Sequence, residues 1–406
     1  MINKKILKAL KPKVTEQNYS VLKKESKLES IWKLPNLPLT EAFGAYDPQF
    51  PTFNQEVMMC SETGHVQLRF VVDPAFLYTT ENYNFATLPT PKINTEIDYL
   101  LEKLDIKGHI SINSKILEIG GNNLQIANLL KGKYKKYVVC DPVLEDEVSI
   151  NGDPIDTWGD LLENVMDRIG YLNPTLVIGR HVLEHVVSPR DLLSEILSRV
   201  TSETVFCFEV PSFDHLTSKM RFDAFFHQHL HYFDELSVRY MIESIGCQIL
   251  NLEFNPAGSN GGSLLFSFKK NSVSLANSEI ISNEKFDRKL EIFASNLILY
   301  SKQNQITNEI LDSFKGQRFG FGAGHMLATY NYHLGGSVEK LDAILDDNLD
   351  KNGSSYKNLN VPIIHSSLVD IDGKSLMLIT SLENQVVIRT RIKQFPSAIS
   401  LGLNIH

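Results

Sequence analysis

Cysteine is scarce in this chain. Only four occur in 406 residues, Cys60, Cys140, Cys207 and Cys247. They are scattered, and two lie inside apolar strand-like runs, so a disulfide framework is excluded and reduced, partly buried thiols of a cytoplasmic protein are expected. Positive charge is not in excess: 40 Lys and Arg against 48 Asp and Glu leave a formal charge of −8. That balance argues against a broad nucleic-acid surface and fits an enzyme of small molecules. No run of about 18 apolar residues is present, so no membrane span is expected. The basic start, MINKKILKALKPKV, has its apolar residues interrupted by Lys and lacks a small-residue cleavage site, unlike a signal peptide. No short-period repeat is visible, which excludes a solenoid. What remains is an ordinary globular composition, 43% hydrophobic and 22% charged, in a chain too long for one core.

Three regions follow from the patterning. Residues 1–90 are punctuated by Pro35, Pro38, Pro48, Pro51 and Pro74, with β-like pieces at Glu56–Cys60 and Val66–Val72. They read as a small irregular or β domain. Residues 91–275 alternate strand and helix: strands at Lys115–Ile119, Tyr137–Cys140, Leu176–Ile178 and Val205–Val210, helices at Asn123–Leu130 and Pro189–Val200. The alternation predicts an α/β domain with a mainly parallel, doubly wound Rossmann-like sheet, closed by an antiparallel edge pair between Glu243 and Lys269. From 276 onward, helical spacing over Phe286–Phe314 predicts one long linker helix. The α/β pattern then restarts (strands Arg318–Phe321, Leu341–Leu345 and Leu376–Thr380), predicting a C-terminal Rossmann-like domain.

Chemistry concentrates in the central region. In ILEIGGNN, Gly120 and Gly121 follow a strand and open a helix, serving either ligand approach or plain packing. Glu118 stands just before the turn, where a dinucleotide fold would have an apolar strand end and three glycines. Asp141 ends the next strand, placed either to accept ribose hydroxyls or to cap a turn before Pro142. A third motif is VIGRHVLEHVVSPRDLL, Val177–Leu193. Taken in order, E-I-G-G, C-D-P and H-V-L-E-H resemble the cleft of class I methyltransferases. The resemblance implies S-adenosylmethionine as cofactor, held by Glu118, Gly120, Gly121, Asn122, Asp141, Pro142, Arg180, His181 and Val182. Glu184 and His185 are read as supporting polar residues.

Collinear segments outside the cleft, LPNLPLTEAF, GHVQL, DPAFLY, RFDAFFHQHLHYF, NGGSLLFSF and GFGAG, resemble the three-domain nucleotide-sugar C-methyltransferases. The resemblance implies methylation of the carbon beside the ketone of a dTDP-linked 4-keto-deoxysugar, with a nucleotide-linked sugar as substrate; a monomer or homodimer is the expected assembly. Such a reaction needs a base near the carbon, stabilisation of the enolate and an in-line methyl donor. Histidine suits the base because its pKa lies near neutrality. In the family the motif is Tyr-His-Glu-His, its last histidine the base. Here it is Phe226-His227-Gln228-His229, which makes His229 the expected base, His227 and Gln228 its neighbours, and leaves the phenol and carboxylate missing. Tyr78, Tyr83 and Phe85 fall where the family places substrate-facing tyrosines, Tyr83 above all.

Two other departures matter. Relatives carry two cysteine pairs in the N-terminal domain, a closed thiolate site. This chain has no cysteine before Cys60 and has Thr63 at the second position of the would-be pair. No structural zinc is therefore expected, and no metal at the His227, His229 and His231 cluster. In the C-terminal domain, GFGAGHM and the Asp346-Asp347 pair permit a dinucleotide site, with a scaffold wall of the substrate cleft preferred. An O- or N-methyltransferase, a nicotinamide-dependent sugar-modifying enzyme and a non-catalytic relative stand as alternatives.

Overall fold

The computed structural model of the protein describes residues 12–40, 42–78, 91–103, 106–122, 124–144, 148–150, 153–258, 261–271, 280–371, 375–395 and 398–402. Tyr83, Phe85 and the expected boundaries at 90 and 275 lie outside the described residues.

The central sheet has eight strands in the spatial order Cys247–Asn255, Ser263–Lys270, Val205–Pro211, Leu176–Arg180, Lys115–Ile119, Lys136–Cys140, Asp153–Trp158 and Val148–Ile150. From Val205–Pro211 to Asp153–Trp158 neighbouring strands are parallel. Ser263–Lys270 then runs antiparallel to Val205–Pro211, and Cys247–Asn255 antiparallel to it, at the edge. This is the expected α/β Rossmann-like sheet. Its first strand, KILEI, is buried along nearly its whole length because helices cover both faces. Lys115–Ile119 and Leu176–Arg180 lie side by side, so their carboxyl ends open one crevice, the usual ligand position in such folds.

The C-terminal sheet is parallel, in the order Ile363–His365, Ala343–Asp346, Gln317–Phe321, Ser375–Ile379 and Ala398–Leu401. The linker helix is continuous over Asn283–Ser313 and starts on Ser282, whose side chain accepts from Lys285 N.

The N-terminal region is more regular than its prolines suggest. Leu28–Pro38 pairs with Thr52–Cys60, and Thr52–Cys60 with Val66–Leu68. A fourth strand, His231–Tyr232, comes from the central region and pairs with Val66–Leu68. Among the described residues, the N-terminal sheet is therefore completed by a strand from the central region. One apolar cluster spans all three regions, with Leu34 and Val57, Phe222 and Phe225, and Tyr330 and Tyr356 among its buried members. Cys60, Cys140, Cys207 and Cys247 are free thiols, all buried. Among the described residues no helix is long and apolar enough to cross a membrane.

Candidate active site

A cavity of about 690 Å³ lies where the carboxyl ends of the central sheet meet the C-terminal glycine turn. Its cofactor side is built on the turn after Lys115–Ile119. Gly120 has φ +74, and a Cβ there would stand 2.4 Å from Val182 Cγ2. A Cβ on Gly121 would meet Val139 Cγ1 at 2.6 Å and Glu118 Cδ at 2.8 Å. Both glycines are therefore required by packing within the protein, which lets the turn lie flat against the next loop and line the cavity.

Glu118 is buried and accepts from the Tyr137 hydroxyl at 2.7 Å. Burial pushes its carboxyl up to about 7, a rise opposed by the Tyr137 hydrogen bond. Asp141 borders the same wall. Its Oδ1 accepts from Val143 N at 3.0 Å, so the turn role and the cavity position coexist in one side chain. Burial raises its carboxyl too, against the backbone N–H groups of Val143 and Asn122. A buried carboxylate beside a cavity, next to a turn without Cβ atoms, fits a ligand carrying hydroxyl donors. Asn122, Pro142 and Val182 line the same space.

Arg180 and His181 follow. Arg180 lies between the buried carboxylates of Glu96 and Glu209, both of which it pairs. Its charge is thus spent within the protein, and it acts as a strut of the cleft wall. His181 adopts φ +53 and donates its main-chain N–H to Glu209 O at 3.0 Å. Its Nδ1 lies 3.2 Å from Glu184 Oε1.

The histidine triplet separates. His227 is fully buried, with Nε2 3.1 Å from Leu37 O and Nδ1 3.4 Å from Gln55. It does not line the cavity, and burial lowers its pKa to about 4. The expectation that it joins the catalytic group is corrected: it fastens the N-terminal sheet. His231 stacks on His65, their nitrogens 3.2 Å apart, and donates to Val186 O at 2.9 Å. Only His229 faces the cavity, its ring 4.1 Å from Phe226 and 4.8 Å from His185. Burial, then His185 and His181, hold its pKa well below the usual value, so it is neutral at pH 7 and able to accept a proton. Gln228 also lines the cavity, its Oε1 accepting from Thr40 Oγ1 at 3.2 Å.

Two residues read as supporting polar groups stand in the site itself. Glu184 and His185 line the cavity, and His185 Nδ1 donates to Gln228 O at 2.8 Å. Tyr78 Oη is 3.3 Å from the same nitrogen. Glu96, Glu209 and Arg221 receive no role from sequence, although Arg221 opens the RFDAFFHQHLHYF segment. Arg221 is buried, pairs with Asp223 at 2.9 Å, and reaches Glu383 across to the C-terminal domain.

On the opposite wall stand Gly322, Ala323 and Gly324 with His325 and Met326. A Cβ on Gly322, at φ +99, would lie 2.6 Å from Ser381 Cβ. Asp346 Oδ2 accepts from Ala323 N at 2.7 Å, and Thr380 Oγ1 donates to Gly322 O at 2.8 Å. The acid that could have held a ribose thus pins the glycine turn, which forms a wall of the shared cavity.

Residues 84–252 match the family model of a methyltransferase domain. Among curated proteins, the C-methyltransferase NovU of Streptomyces niveus is 22% identical over 218 residues, 52% of this chain and 50% of NovU. The chain thus spans half the length of the curated relative it matches. Among solved structures, the N-methyltransferase NodS of Bradyrhizobium japonicum aligns with a TM-score of 0.33 at 14% identity, over 45% of this chain and 98% of NodS. Magnesium protoporphyrin IX methyltransferase of Synechocystis aligns at 0.32 and 14%, over 44% and 84%. The family match covers the region that carries the cleft, so residues 84–252 are similar to a methyltransferase domain.

Proposed function

We propose that the protein transfers the methyl group of S-adenosylmethionine to the carbon beside the ketone of a nucleotide-activated 4-keto-deoxysugar, with His229 as the base. The observation that carries this reading is the continuity of one cavity from Asp141 and Gly120 to His229 and on to the C-terminal glycine turn. Such a space accommodates a methyl donor and a two-part acceptor at once. The histidine at its centre is neutral and can take up an α proton, but burial weakens it as a base, so its protonated form needs a compensating charge when the site works. The similarity to NovU, a C-methyltransferase, supports carbon as the acceptor. Asp141 would take the cofactor's ribose hydroxyls, and Phe226 would keep water from the enolate.

The test uses deuterium. In heavy water, with a dTDP-4-keto-deoxysugar and no cofactor, the enzyme should exchange the α hydrogen, and S-adenosylmethionine should then give a C-methyl product.

A second reading rests on Phe226 and Gln228. With neither phenol nor carboxylate at these positions, an O- or N-methyltransferase would need His229 and Gln228 only to position a nucleophile. Methyl transfer without α exchange would establish that reading instead.

A further inference from the structure

The motif around the base has no carboxylate: Gln228 is uncharged. A different carboxylate stands nearby. Glu184 is fully buried, and Glu184, His185 and His229 bring one carboxylate oxygen and two ring nitrogens within 4.8 Å of one another. Glu184 Oε1 is taken up by His181, but Oε2 is buried without a hydrogen-bond partner. A buried carboxylate oxygen without a donor is costly, so it calls for one when the site works. His185 Nδ1 already donates to Gln228 O. No hydrogen bond of the His229 ring to another side chain or to the main chain occurs among the described residues.

Resting on the reading of His229 as base, we infer that Glu184 is the positioning residue that compensates the charge of His229, replacing from the opposite loop the carboxylate absent at 228. In the step concerned, the substrate's α C–H bond breaks and its electron pair passes to the enolate. The proton forms an N–H bond on His229, and the resulting imidazolium faces the anionic Glu184. The enolate carbon then attacks the sulfonium methyl, releasing S-adenosylhomocysteine. An opposite charge within about 4–6 Å favours a charged histidine by one to three pKa units. The other groups facing His229 are His185 and His181, which disfavour its protonation, and the Tyr232 ring. Glu184 is the carboxylate of this cluster, and it already supports the two other rings, His181 and His185. Its main chain fixes the register of the pair, because Glu184 O accepts from Leu230 N at 2.7 Å and His231 N at 3.2 Å. A divalent ion on the same three side chains is the competing use of this geometry, and it would occupy the lone pair that proton abstraction needs.

Titration of His229 decides the matter without any substrate. The full chain is labelled with 13C at histidine Cε1, and the His229 resonance is identified by its disappearance in His229→Asn. Glu184→Gln should lower the apparent pKa of His229 by about one unit or more, a tenfold loss of proton affinity. Adding Gln228→Glu to Glu184→Gln should recover most of it. Glu184→Asp keeps the charge and should stay near wild type, which guards against a Gln variant that fails to fold. An unmoved His229 titration in folded Glu184→Gln overturns the inference. So does an Asp variant that falls as far as Gln, or one equivalent of a divalent ion in the purified enzyme that Glu184→Gln loses. Turnover of a dTDP-4-keto-deoxysugar is measured separately: its absence in wild type sinks the sugar reading and leaves the titration result standing.

Discussion

His185 donates from Nδ1 to the main-chain carbonyl of Gln228 at 2.8 Å, tying the loop after Leu176–Arg180 to the segment carrying His229. The bond also fixes the tautomer, since Nδ1 must carry the proton and Nε2 is left with the lone pair. His185→Ala leaves the Gln228 carbonyl without its donor and should cost about 1–3 kcal/mol of stability by chemical denaturation. His185→Asn can still present an N–H and should recover a large part of that loss. Equal losses in the two variants would mean that ring packing matters and the hydrogen bond does not.

Asp141 combines a turn contact, Oδ1 to Val143 N, with a place on the cavity wall. Asp141→Ala should weaken S-adenosylhomocysteine binding by roughly 1–3 kcal/mol in calorimetry, as expected for a charged hydrogen-bond partner. Asp141→Asn retains an acceptor for the turn, so an affinity loss in Asn with an unchanged melting temperature assigns the effect to the ligand. Full affinity in the Ala variant removes Asp141 from the site.

Gly120 is constrained twice, by φ +74 and by Val182 Cγ2 at 2.4 Å from a would-be Cβ. The left-handed conformation alone costs a residue with a side chain about 1–2 kcal/mol. Gly120→Ala should therefore lower the melting temperature measurably. Val182→Ala in the same chain should return the steric part and leave the backbone part. If the double variant is no more stable than Gly120→Ala, the contact with Val182 is not the constraint.

Glu118 has its carboxyl raised to about 7 by burial. A folded-state pKa above the unfolded value of about 4.3 means that the native state binds the extra proton. This contribution is fully present below about pH 4 and is lost as pH rises through about 7, on the order of 3 kcal/mol in total. Glu118→Gln cannot ionise and should flatten the stability profile between pH 5 and 8 by roughly that amount. Parallel wild-type and variant profiles, measured in urea across that range, would show that Glu118 does not titrate there.

Much of this fold is legible in the sequence where one physical cause dominates. KILEI is an apolar run ended by glycines, and its strand has the bounds that the pattern predicts, Lys115–Ile119. The long helix at Asn283–Ser313 follows from a spacing sustained over eight turns. Leu28–Pro38 escaped notice because Pro35 and Pro38 read as breakers. It is an edge strand with a register shift between Leu34 and Leu37, where proline is tolerated. The site divides in the same way. Glycines and strand-end acids announce themselves locally, whereas three alternating histidines look equivalent in sequence. Their separation depends on the path of the chain, since only His231 enters a strand, pairing with Gln67, while His227 turns to Leu37 and His229 to the cavity. Glu184 was read as a supporting residue because its approach to His229 joins loops 45 residues apart in sequence.

His229 carries the sharpest prediction, because it alone of the triplet reaches the cavity and its ring makes no other hydrogen bond among the described residues. Its neutral state at pH 7 follows from burial, so loss of activity should appear only as pH falls far enough to protonate it in the free enzyme. His229→Asn preserves polarity and approximate size but cannot take up the proton, and turnover should fall by roughly a hundredfold or more. Affinity for S-adenosylhomocysteine should stay within about twofold of wild type, because in the proposed reaction the imidazole serves the acceptor. The α-hydrogen exchange of a dTDP-4-keto-deoxysugar in heavy water should vanish with it. His227→Asn makes the paired control: it sits outside the cavity, bonded to Leu37 O, so it should lower stability and leave exchange per folded molecule nearly intact. If His227→Asn abolishes exchange while His229→Asn retains it, the base is not the residue that faces the cavity, and the proposed chemistry fails at its first step.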